Sequence, residues 1–285
     1  MAANASFSAD TSFAASRSAA VARGADGTVA IEDEDAAARM ASDAHLAFCM
    51  AGDDHTIRYY ASDVLESLNV RVVLDGHESY VNSLAFSPLA DAGDTIASTS
   101  DDASVKLFSL ETQGLLRSFA LDSAGKDVVF HPSSPFQLMV AEAAGLVSVL
   151  DLRMGAAAYS LLHPDGGSFR SVDWCGPSPS RIGGLDADAY FVWDIRAGYA
   201  LSPLVHTGPA HGLGSAGRFA WSHVDDAVFA TSSLTDTVKI WNCAKLDAPA
   251  VHSQAGARVS SLSWSGSSAA LVSTGDDKLY CWLTY

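Results

Sequence analysis

The stretch that decides the fold is GHESYVNSLAFSP (76–88) followed by TIASTSDDASVKLF (95–108). VNSLAF and SVKLF alternate apolar with polar residues, TIASTS between them is built from small residues, and Ser-Pro and Asp-Asp punctuate the joins. The stretch reads as consecutive short strands joined by turns. Working outward, the first phrase recurs as KDVVFHPS (126–133), FRSVDWCG (169–176), GRFAWSHV (217–224) and VSSLSWSG (259–266). Its aromatics Phe86, Phe130, Trp174, Trp221 and Trp264 lie 44, 44, 47 and 43 residues apart. A tight turn and a second alternating strand follow each time: DDHTIRYY (53–60), AAGLVSVLD (143–151), ADAYFVWD (187–194), TDTVKIWN (235–242) and DDKLYCWL (276–283).

Four short strands per period of roughly 40–45 residues predict an all-β chain of propeller blades. A small sheet that is apolar on both faces cannot bury them alone, so the blades must stack. The strand aromatics, together with Trp193, Trp241 and Trp282, are expected in the core between blades. GADGTVAIED (24–33) looks like one more turn and third strand, which gives seven such strands. Only 29 residues separate Thr28-Val29 from Ile57-Arg58, so the expectation is seven blades, or six behind an N-terminal extension. Residues 1–43 are read as an Ala/Ser-rich segment with a degenerate first blade, and 44–285 as the propeller. The last third strand runs into Tyr285, so a segment within 5–23 is expected to pair there and cover the exposed edge. With Arg17 and Arg23, the same segment also has the composition of an organellar transit peptide.

With 17 Lys+Arg against 33 Asp+Glu, the 285 residues carry a formal charge of −16, which argues against nucleic acid or anionic membranes as partners. The carboxylates are 27 Asp and 6 Glu, and Asp favours turns where Glu favours helix interiors. No apolar run is long enough to span a bilayer, and the chain is expected to be soluble and intracellular. Cys49, Cys175, Cys243 and Cys281 are far apart and are expected as buried reduced thiols. Gly212-Leu213-Gly214-Ser215-Ala216-Gly217 matches a dinucleotide motif but leads into a strand, so no cofactor site is expected there. The pairs Asp53-Asp54, Asp101-Asp102, Asp225-Asp226 and Asp276-Asp277 recur at turn positions, which explains them without metal or acid–base chemistry. No catalytic, cofactor, metal or small-molecule site is expected, and protein docking is the default role.

Gly76-His77, Ser98, Asp102 and Trp193-Asp194 resemble the WD-repeat family. That resemblance implies a buried hydrogen-bond chain through His77, Ser98 and Asp102, cut short because Phe108 holds the position of its terminal Trp. QLMVAEAAG (137–145), FVWDI and the terminal GDDKLYCWLTY are further similar to the family of small thirty-seven-kilodalton WD-repeat nucleoporins. That likeness implies a non-enzymatic subunit of the Y-shaped outer ring of the nuclear pore, docking on a large nucleoporin made of a propeller and an α-solenoid. Trp193-Asp194-Ile195-Arg196 and Asp151-Leu152-Arg153 also resemble the WD-x-R signature of cullin-ligase substrate receptors. Under that alternative Asp194, Arg196, Asp151 and Arg153 would bind the adaptor.

Overall fold

Period-two sequence becomes period-two burial. In the computed structural model, which describes residues 5–6, 22–23, 29–30, 46–62, 69–88, 95–197, 204–212, 214–235, 237–246, 249, 251–254, 259, 261–265, 270–275 and 278–283, nearly all regular structure is strand. In chain order these are β1 (Ala5–Ser6), β2 (Ala22–Arg23), β3 (Val29–Ala30), β4 (Leu46–Ala51), β5 (Ile57–Ser62) and β6 (Asn69–Leu74). The second sheet holds β7 (Val81–Phe86), β8 (Thr95–Ser100), β9 (Ser104–Ser109) and β10 (Gly114–Ala120). The third holds β11 (Gly125–Phe130), β12 (Gln137–Glu142), β13 (Leu146–Asp151) and β14 (Ala156–Leu162). The fourth holds β15 (Ser171–Trp174), β16 (Arg181–Leu185), β17 (Ala189–Asp194) and β18 (Leu204–Pro209). The fifth holds β19 (Ala216–Trp221), β20 (Val228–Ser233), β21 (Thr237–Asn242) and β22 (Val251–Gln254), and the sixth β23 (Ser261–Trp264), β24 (Ala270–Gly275) and β25 (Lys278–Leu283). Sheets two to five are four-stranded antiparallel meanders in chain order.

Each middle sheet sends alternate residues to opposite neighbours. On β8 Ile96 packs toward the first sheet and Ala97 toward the third; on β12 Leu138 and Val140 face the second sheet while Met139 and Ala141 face the fourth. The described residues thus form five apolar clusters, one at each successive junction from the first sheet to the sixth. Phe130, Trp174, Trp193, Trp221, Trp241 and Trp264 are buried in these junctions, and Phe86 is half-buried in the first of them. Trp282 is on β25, and its side chain lies outside the described residues.

The turn between second and third strands repeats as well. His55, Ala103 and Gly145 occupy the same place and share left-handed backbone, with φ of 65°, 57° and 81°. Only the third sheet uses the residue that adopts this conformation without steric cost.

The N-terminal segment differs from the expected ring closure. Ala5 pairs with Met50 and Ser6 with Cys49, so β1 fills the innermost place of the first sheet, in the order β1-β4-β5-β6. The first sheet otherwise lacks an inner strand, so the edge of β4 competes for the same segment. Residues 7–21 lie outside the described residues, and among the described residues β25 has β24 as its only strand neighbour. Ala22–Arg23 and Val29–Ala30 pair as β2 on β3, within or next to the expected extra third strand, and make a two-stranded sheet in addition to the six sheets of three or four strands.

The cysteines divide. Cys49 and Cys175 are buried, Cys243 is half-buried, and all four are free thiols. Cys281 is exposed, which corrects the expectation of a buried thiol: it sits on β25, whose one strand neighbour among the described residues is β24. Burial pushes the Cys49 thiol up to about 12 and the Cys175 thiol up to about 11, so neither is a nucleophile at neutral pH.

Candidate functional site: polar chains within blades and the charged rim

His77 Nδ1 lies 2.8 Å from Asp102 Oδ2 and its Nε2 lies 2.7 Å from Ser98 Oγ. A carboxylate only accepts, so Nδ1 carries the proton and Nε2 accepts from the serine. Burial holds His77 below its ordinary value and therefore neutral, against the pull of Asp102. Burial also opposes the Asp102 charge, but Ser104, His77 and the Glu78 amide donate to it and hold its carboxyl at about 2. Phe108 packs edge-on to His77 at 6.4 Å and offers no donor. This chain ties the segment entering the second sheet to the turn between β8 and β9.

Two other blades carry a chain of this kind that the spacing of His77 could have revealed. His211 Nε2 is 3.0 Å from Thr231 Oγ1 and its Nδ1 is 3.1 Å from Thr237 Oγ1, while the Trp241 indole N–H donates to Thr231 Oγ1 at 2.9 Å. Here the terminal Trp link exists. His163 Nδ1 accepts from the amides of Asp165 and Gly167, which leaves Nε2–H to donate to Asp186 at 3.0 Å. The three histidines precede their turn partners by 25, 26 and 23 residues.

The third sheet replaces the histidine with Glu142, which is 2% exposed. Its Oε2 accepts from the amides of Asp122 and Ser123, and its Oε1 from Ser148 Oγ at 2.6 Å. The carboxylate has moved from the turn, where Ala143-Ala144 stand, to the end of β12. A charge inside an apolar strand needs partners, and that was the signal within QLMVAEAAG.

Inner strands are tied from sheet to sheet. Asp127 on β11 accepts from Ser83 Oγ of the preceding sheet and from the Val172 amide of the next, and Arg218 on β19 reaches it at 3.0 Å. Asp173 on β15 accepts from the Trp221 amide at 2.8 Å, and Ser171 Oγ from the Phe219 amide. Burial, with the nearby charge of Asp127 adding to it, pushes the Asp173 carboxyl up to about 7 against the two amides that donate to it. Between about pH 4 and pH 7 the folded chain therefore keeps a proton that the unfolded chain has released, and stability falls as pH rises through that window. His77, His131 and His223, held neutral by burial, pull the other way. The comparison is therefore made against Asp173→Asn, whose urea midpoint should fall less across the window than that of the parent; equal slopes would show that Asp173 titrates normally.

The acidic turn pairs are taken up by neighbouring groups, within the turn or across a sheet junction. Asp54 accepts from Thr56 and Arg58, Asp101 from Asn82 and Lys126, and Asp225 from the Ala227 amide; Asp276-Asp277 lie outside the described residues. At the ends of β13 and β17 the same clamp appears twice. Arg153 Nη2 bonds Asp151 at 2.7 Å, and Arg196 Nε bonds both carboxylate oxygens of Asp194 at 3.0 and 3.1 Å. Each arginine holds its own aspartate well below the usual carboxylate range. Both guanidiniums are thus engaged within their own blade, covering its end. A cavity of about 310 Å³ beside the second clamp is lined by Arg181, Asp194, His206, Asp226 and Cys243 among others. Arg181 closes on Asp226 at 3.3 Å, and burial raises the Cys243 thiol, which is therefore not a reactive nucleophile at neutral pH.

Stacked four-stranded sheets, aromatic junctions and His-to-turn chains define a WD-repeat β-propeller, and the family model described as WD domain, G-beta repeat matches residues 68–109. The chain is 31% identical over 244 residues to Nucleoporin Nup37 of Mus musculus and 32% identical over 242 residues to that of Homo sapiens. Each match covers 84% of this chain and 71% of the relative. Nucleoporin Nup37 of Drosophila melanogaster is 27% identical over 150 residues, covering 52% of this chain and 45% of that protein. The chain belongs to the Nup37 family of nucleoporins.

Proposed function

We propose that the chain is a non-catalytic scaffold subunit of the nuclear pore, built into the Y-shaped outer ring by docking on a large nucleoporin composed of a propeller and an α-solenoid. The observation that carries this is similarity to the mammalian Nup37 proteins along 84% of the chain. In this role the work of the fold is to hold a surface rigid, and through it the protein supports nucleocytoplasmic transport, mRNA export included. Residues 44–285 form the propeller body and 1–43 an N-terminal segment that contributes an inner strand. The partner is a protein, with no nucleic acid, membrane insertion, cofactor or small-molecule substrate in the mechanism. A rigid disc suits such a task because little backbone order has to be gained on binding.

The test is copurification from the native cell with a tag on the chain, combined with microscopy. Outer-ring nucleoporins in the eluate and a nuclear-rim signal are expected. Recovery of a cullin and its adaptor, lost on Arg196→Ala, would transfer the protein to the ligase-receptor reading. The Asp194–Arg196 clamp gives both residues a role within their own blade that needs no adaptor.

A further inference from the structure

Four of the exposed large apolar side chains lie at the same end of the second and third sheets, beside or within the turns between their strands. Met154, in the turn between β13 and β14, is 81% exposed; Leu116 on β10 is 54% exposed and Leu115 49%; Phe136, in the turn between β11 and β12, is 45% exposed. Two arginines bind these places together. Arg117 donates across the sheet junction to the carbonyl of Leu152, and its guanidinium lies beside Gly155. The Arg153 guanidinium sits 4.9 Å from the centre of the Phe136 ring, and the Leu152 amide donates to the Phe136 carbonyl at 2.8 Å. Asp151 neutralises Arg153, whereas Arg117 has no carboxylate partner among the described residues. The charges closest to the two arginines, Arg117 and Arg153 against Asp151, sum to +1 on a chain of charge −16.

Methionine, aromatic and arginine side chains are what interface centres are enriched in, and a cluster of exposed apolar groups marks an interaction site. We propose that Leu115, Leu116, Phe136 and Met154, with Arg117 and Arg153, form the docking face for a segment of the large nucleoporin that presents aliphatic side chains beside carboxylates. This rests on the docking role proposed above and gives it a place and a chemistry. A second copy of the chain fits poorly, since it would bring arginine to arginine and one strongly acidic body to another.

The experiment titrates the purified full-length chain with the purified large outer-ring nucleoporin at low and high salt. Met154→Asp with Leu116→Asp places charge on exposed apolar contacts, Arg117→Glu reverses the cation without a carboxylate partner among the described residues, and Val224→Asp, exposed in the turn between β19 and β20, is the control. Unfolding midpoints equal to the parent's establish that each variant is folded. The expected result is affinity weakened roughly 30-fold or more by the double change and about tenfold by Arg117→Glu, the latter difference shrinking at high salt, with the control within about twofold. Parent-like binding by the folded double variant and by Arg117→Glu would overturn this face while leaving the docking role intact. Failure of the parent chain to bind would remove the docking role and this face with it. A homodimer in sedimentation that Met154→Asp dissociates would overturn the choice of occupant.

Discussion

Trp221→Ala should lower the stability of the chain by about 3–5 kcal/mol, the range for deleting a large aromatic from a packed core. Trp221 is fully buried at the junction of the fourth and fifth sheets, edge-on to Phe219 at 5.7 Å and to Phe229 at 5.4 Å. Neighbouring rings, Tyr190 and Trp241 among them, are themselves interlocked, so the wall has little freedom to collapse into the space. Trp221→Phe separates volume from polarity. The indole N–H of Trp221 finds no acceptor among the described residues, so phenylalanine removes an orphaned donor while keeping most of the ring. Urea unfolding should show a large drop in midpoint for alanine and a small one for phenylalanine. Equal drops would mean that the ring contacts are not what holds this junction.

Gly183→Val should prevent the fourth and fifth sheets from packing, leaving little soluble folded protein. A Cβ at Gly183 would lie 2.1 Å from two carbons of the Phe219 ring and 2.8 Å from Trp221 Nε1. Overpacking of this kind typically costs about 1–3 kcal/mol and more where nothing can yield; here the obstacle is an aromatic ring locked on both sides. Gly184, the next residue, does the same for the opposite face, where a Cβ would meet the Trp193 ring at 2.9 Å. Expression with a soluble, cooperative unfolding transition near that of the parent would refute the packing argument.

These two glycines show what the sequence conceals. RIGGL has no alternation and no β-branched run beyond Ile182, yet it is a strand, because the side chains that fill its faces come from Phe219, Trp221, Trp193 and Phe169. The elements with their own apolar alternation, such as VNSLAF and TVKIWN, are readable one by one as strands; Trp241 lies buried at a sheet junction and Phe86 half-buried at another. The polar chains were half readable. His77 stands in a Gly-His pair, but His163 precedes Pro164 and His211 follows Ala210, so only their distance to the next turn gives them away. Glu142 has no such mark in the sequence, because what holds it is a pair of loop amides that donate to it from 20 and 19 residues earlier. The placement of β1 could not be read, because two free edges compete for one Ala/Ser-rich segment of no strong pattern.

The carboxylates on the inner strands lace the sheets together along their inner edges. Asp127 accepts from Ser83 one sheet back and from Val172 one sheet onward, and Asp173 accepts from Trp221 one sheet onward, so sheets two to five are joined in series by polar links as well as by their apolar faces. The same geometry gives the Val172 and Trp221 amides, at strand positions that would otherwise face water, the slow deuterium uptake normally reserved for the middle of a sheet.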